Sequence, residues 1–134
     1  MYLRAHVLLG ALVVAAAGTL VSAQNSWVIP PGGDAEKNPS ATTADVLKQG
    51  EMLFSEHCAR CHGGAGLGDG PDGDPQMPPA DLTDPYRAPI NPDGTLYYKI
   101  LNGKGRDMPA FKTELATGEI WAVVEYIKTL RKPE

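Results

Sequence analysis

The stretch Cys58-Ala59-Arg60-Cys61-His62 has the pattern C-x-x-C-H, which is typical of an attachment site for c-type haem. Two cysteines at this spacing point the same way from one helical turn, so each thiol can add to a vinyl group on the same edge of one porphyrin. The histidine after the second cysteine is carried under the iron, where its imidazole can bind as the proximal ligand. The motif therefore predicts one covalent haem c, held by Cys58 and Cys61 and ligated by His62.

Three other interpretations of this stretch compete with haem attachment. A zinc site usually needs four ligands, and the chain has no cysteine beyond these two, while His6 lies in a segment expected to be removed and His57 is crowded against Cys58. A thioredoxin-like C-x-x-C follows a strand in a βαβ pattern, and no such strand is predicted before Cys58. A structural disulfide is the third alternative.

The length and the net charge of the chain limit the classes of protein to which it can belong. With 134 residues it can form one small domain, and a covalently bound apolar macrocycle would replace many core side chains, which suits an aromatic content of only 7%. The formal net charge is −4, whereas binding to nucleic-acid phosphates needs clustered lysine and arginine. We therefore expect no nucleic-acid partner.

Residues 1–23 have the pattern of an export signal. Arg4 precedes an apolar run, and Val21-Ser22-Ala23 places small side chains before a cleavage site at Gln24. The apolar run of about 15 residues is shorter than the roughly 20 needed to cross a bilayer, which disfavours an uncleaved anchor. We predict a cleaved signal peptide over 1–23, an exported protein in the periplasm or another extracytoplasmic space, and no permanent membrane span after cleavage. Cleavage would remove Arg4 and change the net charge to −5.

Residues 24–42 are rich in Pro, Gly, Asn and Ser, which predicts either a linker or an arm that wraps around the domain formed by residues 43–134. Trp27, Val28 and Ile29 are apolar for a free tail. In a wrapping arm they would pack on the haem domain or on a partner, and in a flexible tether they would be incidental. The sequence leaves both interpretations open.

Two helices are predicted on either side of the irregular stretch 63–91, which is rich in glycine and proline. The first begins with Thr43 as its N-cap and runs into the haem motif, and Gly50 in its middle indicates a close crossing with another helix. The second spans residues 93–102 and ends at Gly103.

A last helix is predicted with Thr117 as its N-cap and residues 118–130 as its body. It carries one apolar stripe at helical spacing, formed by Ile120, Val123, Val124, Ile127 and Leu130. The fold class is therefore all-α, with three to five helices wrapped around one haem.

Four side chains are candidates for the second axial ligand of the iron: Met52, His57, Met77 and Met108. The first two are tethered on the attachment side of the porphyrin and cannot easily cross it. Met77 stands 15 positions after His62 in a proline-rich loop, whereas Met108 stands 46 positions after it, far enough to travel around the haem edge. Pro109 also stiffens the backbone at Met108. We predict that Met108 is the ligand and that Met77 is adaptable core filler.

Taken together, these motifs resemble a bacterial class I cytochrome c, a small monohaem electron carrier, over roughly residues 43–131. The matching motifs are G-x-x-x-F at 50–54, the C-x-x-C-H stretch, M-P-A-F at 108–111 and an amphipathic last helix. The run C-A-R-C-H-G-G-A-G-L-G-D-G-P and the later P-A-D-L-T are similar to bacterial versions that also serve as cytochrome subunits of oxidoreductase complexes. The arm before Thr43 departs from the minimal domain of this family.

The resemblance implies a helix crossing. In the family the first and last helices cross near glycine and aromatic positions, so Gly50 and Phe54 would lie against Val123 and Tyr126. The distal-ligand pattern of the family also matches the methionine and proline at 108–109.

The resemblance also implies a backbone partner for the proximal histidine. A ligating imidazole usually donates its other N–H to a carbonyl, which fixes the ring and raises its basicity. The family's acceptor is a proline in a Gly-Pro pair, which Gly70-Pro71 matches here. Pro71 is therefore the expected acceptor for His62, with Pro75 as the alternative.

The expected function is electron transfer, in which the iron cycles between Fe(III) and Fe(II) with no substrate chemistry, so no enzyme activity is expected. The partners would be redox proteins, a donor and an acceptor. The chain would act either as a soluble carrier or as the cytochrome subunit of an exported oxidoreductase or respiratory complex. The alternative is an open-site haem enzyme or sensor that handles peroxide or a small gas, which requires a sixth position that no side chain fills.

Overall fold

The computed structural model describes residues 26–133, so the signal peptide expected over 1–23 lies outside the described residues. Four α-helices occur in this part of the chain: α1 (Ala44–His57), α2 (Ala59–His62), α3 (Asp93–Asn102) and α4 (Thr117–Leu130). Short 3-10 turns lie at Gly33–Ala35 and Pro85–Arg87. Residues 26–133 contain no β-strand, and the all-α class with three to five helices is confirmed. Within the same residues, no helix combines the length and the apolar character needed to cross a membrane.

Helix α1 begins as the sequence predicts, but it ends at His57, directly before the haem motif, instead of running into the motif. The hydroxyl of Thr43 accepts a hydrogen bond of 3.2 Å from the backbone N–H of Val46, which is the expected N-cap. The helix ends at His57, and Cys58 separates it from the single turn of α2. The motif therefore occupies its own short helix.

Helices α1 and α4 cross at Gly50. A Cβ atom on this residue would lie 2.7 Å from the carbonyl carbon of Ala122 and 2.9 Å from the Cβ of Tyr126, so only glycine fits without a shift of the helices. The Phe54 ring packs on that of Tyr126 with centroids 5.4 Å apart. The crossing is confirmed, although the backbone closest to Gly50 is that of Ala122 and not that of the predicted Val123, which is buried in the core.

Helix α4 is buried on more than its predicted stripe. Ile120, Val123 and Val124 have no exposed surface, as expected from their spacing. Trp121 is also buried and stacks on Tyr97 of α3, with ring centroids 4.5 Å apart and planes inclined by 17°. This stack joins α4 to α3.

The start of α4 differs by one residue from the prediction. The N-cap position is Ala116, and Thr117 is the first helical residue. The carboxylate of Glu119 accepts a hydrogen bond of 2.8 Å from the backbone N–H of Ala116, so an acidic side chain fixes this end of the helix. The N-cap prediction at Thr117 was wrong by one residue, because Ala116 is the last residue with extended backbone angles and Thr117 already lies in the helix.

The segment 26–42 lies along α3. The side-chain amide of Asn102 donates to the carbonyl of Val28 at 2.8 Å, and the hydroxyl of Tyr98 donates to the Glu36 carboxylate at 2.7 Å. These contacts correspond to the arm that wraps around the domain rather than to a free tether.

Candidate haem site

Two spaces that share part of their lining lie between the helices and the loops. We call the space of about 160 Å³ the inner cavity and the space of about 720 Å³ the outer cleft. Both are lined by Trp27, Cys58, His62, Ala80 and Met108. The structure thus brings together three of the residues that the sequence singled out, while Cys61 lines the outer cleft.

The two thiols lie at the start and in the middle of the α2 turn. Cys58 is buried, and this burial, reinforced by the neighbouring Cys61, raises the pKa of the Cys58 thiol to about 12. Cys61 is half-buried, and its Sγ lies 3.6 Å from the carbonyl oxygen of Asp72. No disulfide joins them. Among residues 26–133 no group of three or more His, Cys, Asp or Glu side chains is arranged to hold a metal ion, so the zinc interpretation gains no support there.

The His62 imidazole is fixed by a backbone carbonyl. Its Nδ1 lies 3.2 Å from the carbonyl oxygen of Ala80, and because a carbonyl can only accept, Nδ1 carries the proton. Burial lowers the pKa of His62, and the hydrogen bond to Ala80 opposes this shift only in part. A neutral ring with its proton on Nδ1 leaves Nε2 free to bind a metal.

The acceptor predicted for His62 is corrected by this contact, because the structure places Ala80 there and not Pro71 or Pro75. The N–H groups of Gly70 and Asp72 donate to the carbonyls of Cys61 and Arg60 at 3.1 and 2.8 Å, so this part of the loop is held on the carboxyl end of α2.

The chain passes the imidazole only later in the loop, at residues 79–82. There the N–H of Leu82 donates to the carbonyl of Gly66 at 2.7 Å, and this bond fixes the segment in which the chain returns past the imidazole. A backbone acceptor depends on this path and not on residue type, so the Gly-Pro pair was misleading. The stretch P-A-D-L at 79–82 was noted in the sequence but was not connected with the histidine.

Met108 is positioned by a loop that folds back on the end of α3. Helix α3 ends at Gly103, whose φ of 63° is readily adopted by glycine. The N–H of Lys104 then donates to the carbonyl of Met108 at 2.8 Å, and the N–H of Phe111 donates to the carbonyl of Ile100 at 3.1 Å. These bonds hold the backbone on both sides of the methionine.

The other ligand candidates lie elsewhere. Met52 is 60% exposed and lines neither space, and Met77 is 61% exposed and lines only the outer cleft. His57 lies at the rim of the outer cleft, where its ring nitrogens are 3.9 Å from carboxylate oxygens of Glu56 and Glu114. Met108 is therefore the one of these four candidates that lines the inner cavity with His62.

The inner cavity also carries a cationic side that the sequence analysis missed. Arg87, Lys99 and Arg131 all line it. Burial lowers the pKa of Lys99, and the positive charges of Arg87 and Lys104 lower it further. The Lys99 ammonium and the Arg131 guanidinium both donate to Asn91, at 2.5 Å to its side-chain oxygen and 3.1 Å to its carbonyl.

These features fit a haem group. Apolar walls suit the macrocycle, and they are formed by Phe54, Leu96, Ile100 and Ile127. Lys99 and Arg131 are half-buried and Arg87 is exposed, and although Asp81 and Asp84 also line the cavity, the three cations suit the carboxylates of the haem propionates. No sequence signal marks these cations, because Lys99 lies on an ordinary amphipathic helix and Arg87 lies in an irregular loop.

The family model described as cytochrome C oxidase, cbb3-type, subunit III, matches residues 45–127. The chain belongs to this family. The matched range includes the C-x-x-C-H stretch, the loop with Met108 and all of α3.

Curated relatives in this family support the assignment. The chain is 32% identical over 81 residues to the cbb3-type cytochrome c oxidase subunit FixP of Bradyrhizobium sp. (strain ORS 278), which covers 60% of this chain and 26% of the relative. It is also 32% identical over 85 residues to FixP of Azorhizobium caulinodans, with 63% of this chain and 27% of the relative covered. The chain thus spans about a quarter of the length of the relatives it matches.

Solved structures show the same fold. A chain of a reducing HAO-like protein complex from Kuenenia stuttgartiensis superposes with a TM-score of 0.61 and 30% identity, covering 70% of this chain and 47% of that one. Cytochrome cL from Methylophaga aminisulfidivorans gives a TM-score of 0.55 and 27% identity, with 67% and 56% covered. The cbb3 subunit III family member described here therefore has the fold of the bacterial c-type cytochromes, as the sequence predicted.

Proposed function

We propose that the chain carries a single haem c, attached through Cys58 and Cys61 and ligated by His62 and Met108, and that it passes one electron at a time between redox proteins. The observation that supports this proposal is the apolar inner cavity lined at once by Cys58, His62 and Met108. Bound there, haem supplies one-electron chemistry through its iron.

The protein's own residues bind, orient and desolvate the cofactor. The Ala80 carbonyl holds the His62 ring in one tautomer, and the bonds of the Met108 loop keep the thioether at the cavity. Burial and a thioether ligand both favour the less charged ferrous state, so we expect a comparatively high reduction potential. If His62 and Met108 both ligate the iron, no open site would be left for peroxide or a small gas, and the chain would not act as an enzyme by itself.

The place of the domain in a larger system is part of the same proposal. FixP relatives are named as oxidase subunits, and the chain spans about a quarter of their length. We therefore propose that it works as a cytochrome module, either as a carrier or as a subunit that exchanges electrons with an exported oxidoreductase. Residues 1–23 support export, which also suits haem attachment to thiols outside the cytoplasm.

The test is the chemistry of the purified protein. After acid-acetone extraction the colour should stay with the polypeptide, and mass spectrometry of the denatured chain should show the added mass of one haem. The oxidised protein should also show the sulfur-to-iron charge-transfer band of methionine ligation. Colour that moves into the organic phase would contradict covalent attachment, and a missing band would contradict the His/Met ligand pair.

A further inference from the structure

Trp27 lies at the boundary between the inner cavity and the outer cleft. Its side chain lines both spaces, as do Cys58, His62 and Met108. The residue is 36% exposed, so most of its surface is covered although it belongs to the segment before α1. An indole that lines both spaces and is partly exposed to solvent is in the position of a cover.

Two lysines hold the indole ring from different elements. The ammonium of Lys99, on α3, lies 5.0 Å from the ring centroid of Trp27, and that of Lys104 lies 5.9 Å from it. Both distances are within the range of cation–π attraction. Lys104 belongs to the loop that leads to Met108, so the ring connects the arm with both elements that close the cavity.

The backbone next to Trp27 is also fixed. Asn102 donates to the carbonyl of Val28 at 2.8 Å, directly after the tryptophan. Further along, Gly33 approaches α3 so closely that a Cβ atom on it would lie 2.6 Å from the Tyr98 ring. The arm is therefore docked over several residues, and the position of the indole does not depend on the ring contacts alone.

We infer that Trp27 is a haem-contacting residue that closes the open side of the cavity and excludes water from the bound cofactor. This inference rests on the proposed haem site. Ferric haem carries one more positive charge than ferrous haem, so excluding water disfavours the ferric state and raises the reduction potential. The same cover hinders an external ligand that competes with Met108 for the iron.

A tryptophan that only anchored the arm would have different consequences. Its loss would lower the free energy of unfolding, but it would leave the potential and the exchange of the iron ligand unchanged. These two quantities therefore distinguish a cover from an anchor.

The experiment compares holoprotein variants at the arm. Trp27→Ala removes the indole, and Trp27→Phe keeps an aromatic ring. Val28→Ala is the matched control, because Val28 is adjacent, 61% exposed and lines neither space. Tyr98→Phe removes the hydrogen bond between Tyr98 and Glu36, one of those that dock the arm on α3, while leaving the indole in place.

Two quantities are measured in each variant. One is the reduction potential from a redox titration, and the other is the rate at which added imidazole abolishes the sulfur-to-iron band. We expect Trp27→Ala to lower the reduction potential and to raise several-fold the rate at which imidazole abolishes the band. Trp27→Phe should give values between those of Trp27→Ala and the parent. Both controls should match the parent.

Two outcomes would overturn the inference. One is a Trp27→Ala protein with unchanged potential and exchange rate, and the other is a Tyr98→Phe protein that changes as much as Trp27→Ala, since arm docking and not the ring would then matter. A parent protein that lacks the sulfur-to-iron band would contradict the proposed ligation itself, before any variant is compared.

Discussion

At the scale of single residues, the proposed second iron ligand rests on which methionine lines the inner cavity. Met108 lines the inner cavity with His62, and its backbone is held at Lys104. We expect Met108→Ala to abolish the sulfur-to-iron charge-transfer band and to lower the reduction potential, because the ferrous state loses a thioether ligand. Visible spectra of the oxidised protein and a redox titration measure both changes.

Met77→Ala is the matched control for this substitution. Met77 also lies beside the outer cleft, but it is 61% exposed and does not reach the inner cavity. Its replacement should leave the band and the potential unchanged. If the band instead disappears in Met77→Ala and persists in Met108→Ala, the ligand assignment is wrong.

A sequence indicates candidate side chains more directly than it indicates backbone partners. The prediction of Cys58, Cys61 and His62 follows from a fixed spacing, because covalent attachment requires those residue types. The acceptor for His62 does not follow from any spacing, since every residue presents a carbonyl. Only the path of the loop decides that Ala80 provides it. The prediction of Pro71 failed for this reason.

At the scale of secondary-structure elements, the close crossing of α1 and α4 stabilises the fold. Gly50→Val should lower the free energy of unfolding by about 1–3 kcal/mol, since the new side chain would press on Ala122 and Tyr126. Denaturant unfolding of the holoprotein measures this change in the free energy of unfolding. Gly118→Val is the control, because Gly118 also lies in a helix but has nothing within 4 Å of an added Cβ atom. Equal midpoints for both variants would contradict a tight crossing.

A charged cluster joins α3 to α4. Lys128 donates to Glu125 at 3.0 Å and to Asp93 at 3.1 Å, and Glu125 is only 5% exposed. Lys128→Met leaves the buried Glu125 carboxylate without its cation, which should cost about 1–3 kcal/mol in the free energy of unfolding. Lys48→Met, on the exposed face of α1, should have almost no effect.

The pH dependence of this cluster has a definite sign. Burial alone would lower the pKa of Lys128, but its hydrogen bonds to Glu125 and Asp93 outweigh burial and raise it. A raised lysine pKa stabilises the fold fully below the pKa of the unfolded residue, and this contribution is lost as the pH rises through the folded pKa. Above neutral pH, the stability difference between the parent and Lys128→Met should therefore persist until strongly alkaline pH, and a difference that vanishes near neutral pH would contradict the ion pairs.

At the scale of the whole molecule, periodic segments were predictable and irregular ones were not. The bounds of α3 and the apolar stripe of α4 follow from helical spacing and from a terminating glycine. The arm at 26–42 and the loop at 63–91 have no such period, and their paths depend on distant contacts such as that of Asn102 with Val28. The cationic side of the cavity was missed for the same reason, since it forms only when Arg87, Lys99 and Arg131 converge.

The whole domain should depend on its cofactor for stability. Without haem, the apolar walls formed by Phe54, Leu96, Ile100 and Ile127 would face water instead of the macrocycle, and a small domain is only marginally stable. We expect a Cys58→Ser/Cys61→Ser protein, which cannot attach haem, to lose its cooperative thermal transition by circular dichroism. Arg60→Ala, inside the same motif but exposed, should retain haem and a sharp transition. A haem-free double variant that melts like the holoprotein would show that side chains alone fill the core.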